Sequence, residues 1–231
     1  MIPFKFHKIS DDIYLYIFDS KYDLGTAFVR IAEFTGMSFR RFKGKYFTFE
    51  EFMDWYSFNK SRRGKGVFDY TKIVSGFTMG AVYINVWYDL YKGRTRKKEQ
   101  AVLAPLKRIG LENINDSFII TLTKVNGKVY KGLIEHEIFH VKYFKTDAMR
   151  REVRILIKQM PKKEVALMHE RLTKANYLKP DHTEEMGAYL STTGTRRMPL
   201  TNISKKTKDK FRTLYEKYID LSEIDLSCLE T

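Results

Sequence analysis

Leu133-Ile134-Glu135-His136-Glu137-Ile138-Phe139-His140 is the stretch on which the fold and the chemistry of this chain turn. Ile134, Ile138 and Val141 recur at i, i+4 and i+7, which predicts a helix, and Leu133, Phe139, Tyr143 and Phe144 make most of its remaining surface apolar. A helix apolar nearly all round belongs in an interior. Into that interior the sequence puts His136, Glu137 and His140, on the side opposite the Ile134 stripe. Buried ionisable groups are costly unless they are paired or bind a metal. Two histidines four apart share a helix face, so their imidazoles can grip one zinc ion (Zn2+) while Glu137 sits beside a metal-activated water.

Upstream, Ser117 to Thr123 reads as a strand, Asn126-Gly127 as a hairpin turn and Lys128-Val129-Tyr130 as a return strand, after which Gly132 releases the chain into the helix. Downstream, a catalytic zinc requires a third protein ligand and one open position. Asp181-His182-Thr183-Glu184-Glu185-Met186-Gly187-Ala188-Tyr189-Leu190 supplies candidates. Asp181 as N-cap with Glu184 three residues on predicts a capping box, which occupies Glu184 and leaves Glu185 to point into the fold. His182 is the other candidate ligand, although a histidine in the first turn of a helix is more often exposed or part of the cap.

An HExxH helix followed some tens of residues later by a helix carrying Glu-x-x-Ala-Tyr resembles the gluzincin branch of the zincin metallopeptidases, and in particular small bacterial and phage-type zincin-like proteins. The resemblance covers the stretch from the hairpin to Leu190. It implies that His136, His140 and Glu185 are zinc ligands and Glu137 the general base. Two departures stand out: residues 141 to 184 separate His140 from Glu185, a longer gap than in the compact thermolysin-like arrangement, and no metzincin-type third histidine follows the motif. On the implied mechanism the metal lowers the pKa of its water to about 7 and polarises the scissile carbonyl of a protein or peptide substrate. Glu137 shuttles the proton to the leaving amine. Tyr189, one turn after Glu185, is a candidate hydrogen-bond donor to the oxyanion, against the plainer expectation of a half-buried tyrosine.

A hydrophobic content of 43% with 15% aromatic residues excludes a disordered chain, and 231 residues suffice for one large domain or two small ones. No apolar run predicts a transmembrane segment, and Met1 to Phe6 lacks the charged and apolar regions of a secretory signal. The single cysteine, Cys228, excludes an internal disulfide and fits a reducing compartment, so the expectation is cytoplasmic, whether of a cell or of a virus-infected one.

The formal net charge is +14, from 42 Lys+Arg against 28 Asp+Glu, and its densest runs lie early. Residues 39–47, 61–66 and 91–98 interleave bases with rings, nominating Arg40, Arg41, Arg62, Arg63, Arg94 and Arg96 as contacts to nucleic acid, because cations neutralise phosphates while exposed rings stack on unpaired bases. Another polyanion or a membrane surface can use the same charges, and a solvated surface explains them with less machinery. The competing functional reading is therefore a nucleic-acid-binding protein with a structural or coincidental HExxH, or a peptidase docked on nucleic acid.

Along the rest of the chain, residues 13–18 predict a strand and Thr48 with Glu51 caps a helix over 49–59. Residues 81–88 lean to helix. Further helices are expected from Asp147 to Pro161, over 163–177 and over 205–221, with 191–204 as a loop bordering the site. The expected architecture is α+β. A basic, aromatic-rich N-terminal region over 1–110 precedes a zincin-like, mainly helical half over 111–231, in which the 117–130 hairpin lies beside the HExxH helix.

Overall fold

The structure, a computed structural model, describes residues 2–61, 63–175, 177–192 and 200–229, with the backbone alone at position 73. The fold is α+β, and the chain divides into two compact units: residues 1–129 with 225–231, and residues 130–224. The division at residue 110 falls inside the first unit, because residues 118–123 form a strand with neighbours on both sides.

Unit 1 is built on a four-stranded mixed sheet in the order β1-β2-β4-β3. Strands β1 (Phe4–Ser10) and β2 (Ile13–Phe18) are antiparallel, and β2 runs parallel to β4 (Phe118–Thr123) from Ile13↔Phe118 to Phe18↔Thr123. Strand β3 (Gly76–Gly80) is antiparallel to β4. Every residue of β2 is buried, as befits an uncharged run of β-branched and aromatic side chains in a central strand. Helix α1 (Lys21–Thr35) starts at Ser20, whose side chain accepts from the Asp23 N–H, and ends at Gly36, whose φ of 80° suits a residue without Cβ. It is buried from Leu24 to Phe34, and Phe28 meets Tyr16, Phe18 and Phe77 edge-on at centroid distances of 5.4, 6.0 and 5.6 Å.

Helices α2 (Phe49–Asn59), α3 (Tyr70–Ile73), α4 (Ala81–Tyr91) and α5 (Lys97–Ile109) complete the unit, and the expected Thr48–Glu51 capping box is present. Two acids of this unit, Glu99 and Glu33, are 0% exposed. Glu99 accepts from Arg30 Nε at 2.7 Å, and the Arg30 guanidinium lies 4.6 Å from the Tyr91 ring centroid. Glu33 accepts from the Tyr70 hydroxyl and the Phe39 N–H, both at 2.9 Å; burial nevertheless pushes its carboxyl up to about 7, against those bonds.

The expected hairpin is half right. Asn126 and Gly127 take positive φ, 53° and 77°, and Val125 bridges Lys128, so the turn forms. Residues 128–130 make no return strand. Both edges of β4 are already taken by β2 and β3, and the helix begins at Lys131.

Unit 2 is helical: α6 (Lys131–Lys145), α7 (Asp147–Gln159), α8 (Lys162–Lys174), α9 (His182–Ser191) and α10 (Lys205–Tyr218). Helix α7 begins at Asp147 as expected, with Thr146 as its N-cap, while α8 and α10 stop about three residues before their expected ends. Helix α9 packs against α6, α7, α8 and α10. Gly187 makes its approach to α6 possible, since a Cβ there would stand 2.5 Å from Phe139 Cζ and 3.2 Å from Val153 Cγ1. Among the described residues no helix is long and apolar enough to cross a membrane.

Candidate metal centre

Helix α6 is buried continuously from Ile134 to Val141, as its all-round apolar sequence requires. His136 and His140, one turn apart, turn their Nε2 atoms toward each other at 3.1 Å. Glu185 arrives from α9 with Oε2 3.5 Å from His136 Nε2 and Oε1 3.7 Å from His140 Nε2. One ligand atom from each of His136, His140 and Glu185 lies within 4.8 Å of the others, a three-donor set that could hold a metal ion. Glu137 is 5% exposed on the same helix and is not one of the three.

Glu184 has a different job from the one its spacing suggests. Asp181 makes no side-chain capping bond: Lys179–Asp181 form a tight 3₁₀ turn around Pro180, and the capping box does not form. Instead, Glu184 Oε1 pairs with His140 Nδ1. A proton held on Nδ1 leaves the His140 Nε2 lone pair facing Glu185 and His136, the orientation a metal ligand needs. Burial would lower the His140 imidazole, but Glu184, then Glu185 and Glu137, outweigh it and hold it up at about 10. The carboxylates thus create a place for positive charge, which a proton or a cation can fill.

Tyr189 lies against the first histidine, its ring 4.5 Å from the His136 ring, and is 2% exposed rather than half-buried. Its hydroxyl is hydrogen-bonded to that of Tyr177 at 2.9 Å. The contact with His136 makes Tyr189 a support for that imidazole. Neither exposed nor part of the cap, His182 is 2% exposed, pairs Nδ1 to Nδ1 with His169 at 2.9 Å and puts Nε2 3.2 Å from the Tyr177 carbonyl. Those contacts turn it away from the role of third ligand. Sequence reasoning missed Glu184, Tyr177 and His169 as neighbours of the site. The adjacency of Glu184 to Glu185 was the one available signal.

The arginines nominated for nucleic acid separate. Arg40, Arg41, Arg63 and Arg94 are exposed. Arg96 is tied down: Nε is 3.3 Å from Glu99, Nη2 donates to the Thr26 carbonyl and the guanidinium covers Phe49 at 4.0 Å. Arg62 and half of the 191–204 loop, positions 193–199, lie outside the described residues. The rings of the first run are largely core, with Phe42 and Phe47 at 6% and 3% exposure, and Tyr46 alone of its strongly basic stretch is an exposed ring. Comparison of the chain with family models, with curated proteins and with solved structures returned no match.

Proposed function

We propose that unit 2 is a zincin-like, metal-dependent hydrolase acting on peptide bonds, with His136, His140 and Glu185 as ligands. The observation that carries this reading is the convergence of three donor atoms from α6 and α9 in one buried cluster. Two imidazole nitrogens and a carboxylate suit zinc among the divalent ions, although ligand chemistry alone does not impose it. Such an ion, when bound, supplies Lewis acidity toward a water and a carbonyl oxygen.

The residues divide the remaining work. Glu137, on the helix that carries both histidines and outside the ligand set, takes the proton of the attacking water on its carboxylate and returns it to the leaving nitrogen. Glu184 holds the His140 ring by its Nδ1 atom, and Tyr189 braces His136. With its hydroxyl bonded to Tyr177, Tyr189 serves the histidine rather than the oxyanion.

Metal analysis of the purified full-length chain, together with cleavage of an unstructured protein substrate, tests the reading. Glu137→Gln should retain about one zinc per chain and lose hydrolysis, because the amide keeps the shape and loses only the proton acceptor. His136→Ala, His140→Ala and Glu185→Ala should lose the metal, and His182→Ala should keep it. Undiminished zinc in both α6 histidine variants, or a folded chain that takes up none, overturns the assignment.

A further inference from the structure

The basic side chains of unit 1 fall into two sets. One is consumed inside the fold: Arg30 and Arg96 by Glu99, and Lys98 by Asp23 and the Thr26 hydroxyl, each at 2.9 Å. The other is exposed and gathered. Arg40 and Arg41 lie on a 3₁₀ turn, Arg40–Phe42, followed by exposed Lys43 and Lys45. Ring contacts join this segment to the end of α4. Tyr46 stacks on Tyr91 at 4.8 Å and 27°, and the exposed Arg94 guanidinium lies 5.3 Å from the Tyr46 ring.

Beside these cations is a depression of about 560 Å³. It is lined by Phe42, Phe47 and Trp55, of which Trp55 alone is not buried, and by Arg41 and Lys45, with the Arg41 guanidinium 5.8 Å from the Trp55 ring. Two acids share the lining. Glu51 is engaged by the Thr48 N–H at 2.6 Å, which leaves Asp54 as an acceptor for a ring N–H or amino group of a base. Cations along a rim serve a phosphate backbone, and an aromatic wall with a nearby acceptor serves a base that is not paired. A duplex keeps its bases stacked inside, and a lipid headgroup layer has no planar group to insert.

We propose that this face of unit 1 binds single-stranded nucleic acid, its phosphates on Arg40, Arg41, Lys43, Lys45 and Arg94 and one unpaired base against Trp55. The proposal is independent of the metal centre. Binding follows the backbone and the base plane, so DNA and RNA strands of equal length bind alike and sequence matters little.

Anisotropy titrations of labelled oligothymidine and oligouridine, about 15 nucleotides long, over a range of salt concentrations test it. Five neutralised phosphates give a slope of log affinity against log salt near −3.5. Arg41→Glu with Lys45→Glu should flatten the slope by about 1.4 and weaken binding at least tenfold. Lys206→Glu with Lys210→Glu, an equal charge change at exposed sites on α10, should change affinity less than about twofold. Of the two tryptophans Trp87 is 0% exposed, so quenching on binding reads Trp55. Trp55→Phe should abolish that signal and weaken binding about tenfold. Chelating metal should leave all of this unchanged. No binding at low salt, equal losses in the two charge-reversal pairs, or tighter binding to phosphatidylserine vesicles than to either oligonucleotide overturns the proposal.

Discussion

Glu99 and Glu33 in unit 1 and the Glu184–Glu185 pair in unit 2 are carboxylates withdrawn from solvent that are neutralised by different means. In unit 1, Glu99 is 0% exposed and meets the permanent cations Arg30 and Arg96. Glu33, equally buried, leans toward its neutral form and accepts from a hydroxyl and an amide. In unit 2, Glu184 and Glu185 face imidazoles, whose positive charge is conditional on a proton or a metal. A permanent cation makes a closed structural pair. A conditional one makes a position that something else can occupy.

The largest effect should come from breaking the closed pair. Arg30→Met leaves Glu99 buried beside Arg96 alone and should cost unit 1 about 3–5 kcal/mol, with Arg30→Met/Glu99→Met recovering much of it. Urea unfolding followed by tryptophan fluorescence reads this unit, because Trp55 and Trp87 both lie in it. A loss under about 1 kcal/mol would put the pair on a par with surface salt bridges and dissolve the contrast.

Comparing the chain with and without added metal is the corresponding experiment on unit 2. Metal at about a thousandfold above Kd stabilises the state that binds it by about 4 kcal/mol, and chelation should remove that protection from α6 and α9. Hydrogen exchange of peptides from the two helices reads the change; equal protection with and without metal would make the cluster structurally complete as it stands.

Glu33 tests the neutral solution through pH. Its folded value of about 7 lies above its ordinary 4.5, so the folded chain holds a proton that the unfolded chain releases. Its contribution to stability is fully present below about 4.5 and is lost as pH rises through about 7, at most roughly 3 kcal/mol in all. Glu33→Gln should flatten that part of the pH profile. An unchanged profile in that range would mean that the Tyr70 and Phe39 hydrogen bonds stabilise the ionised form at least as much as burial opposes it.

The smallest expected effect belongs to Glu184. Glu184→Gln should weaken zinc affinity about 10–100-fold in competition with a chromogenic chelator, the usual cost of losing a carboxylate behind a ligating histidine. A residue that merely capped α9 would leave affinity unchanged and lower helix stability by about 1 kcal/mol.

What was legible in the sequence was legible because the signal was local. The Thr48–Glu51 box, the apolar runs of β2 and β4 and the i, i+4 histidines each fit within one element. Helix α1 escaped because it is buried on nearly all sides and carries Arg30 and Glu33 into the core, so no amphipathic period marks it. Pro105 disguised α5, and glycines at both ends of a five-residue segment disguised β3. The parallel partnership of β2 and β4 left no local trace. Glu184 was misassigned for the converse reason: the capping pattern fitted, and the tertiary partner His140 won.

The register of β2 against β4 also bears on how the chain is made. Strand β1 can close on β2 as soon as both have left the ribosome, but the other edge of β2 must wait for Phe118 to Thr123. During that interval Ile13-Tyr14-Leu15-Tyr16-Ile17-Phe18, without a charge or a proline, leaves an open strand edge to any other chain nearby. Asp225, which donates its N–H to the Ile9 carbonyl at 2.8 Å, arrives only after the whole of unit 2 has been synthesised. Such non-local pairing is slow, so a nascent chain of this protein exposes an uncharged apolar strand early and covers its second edge late.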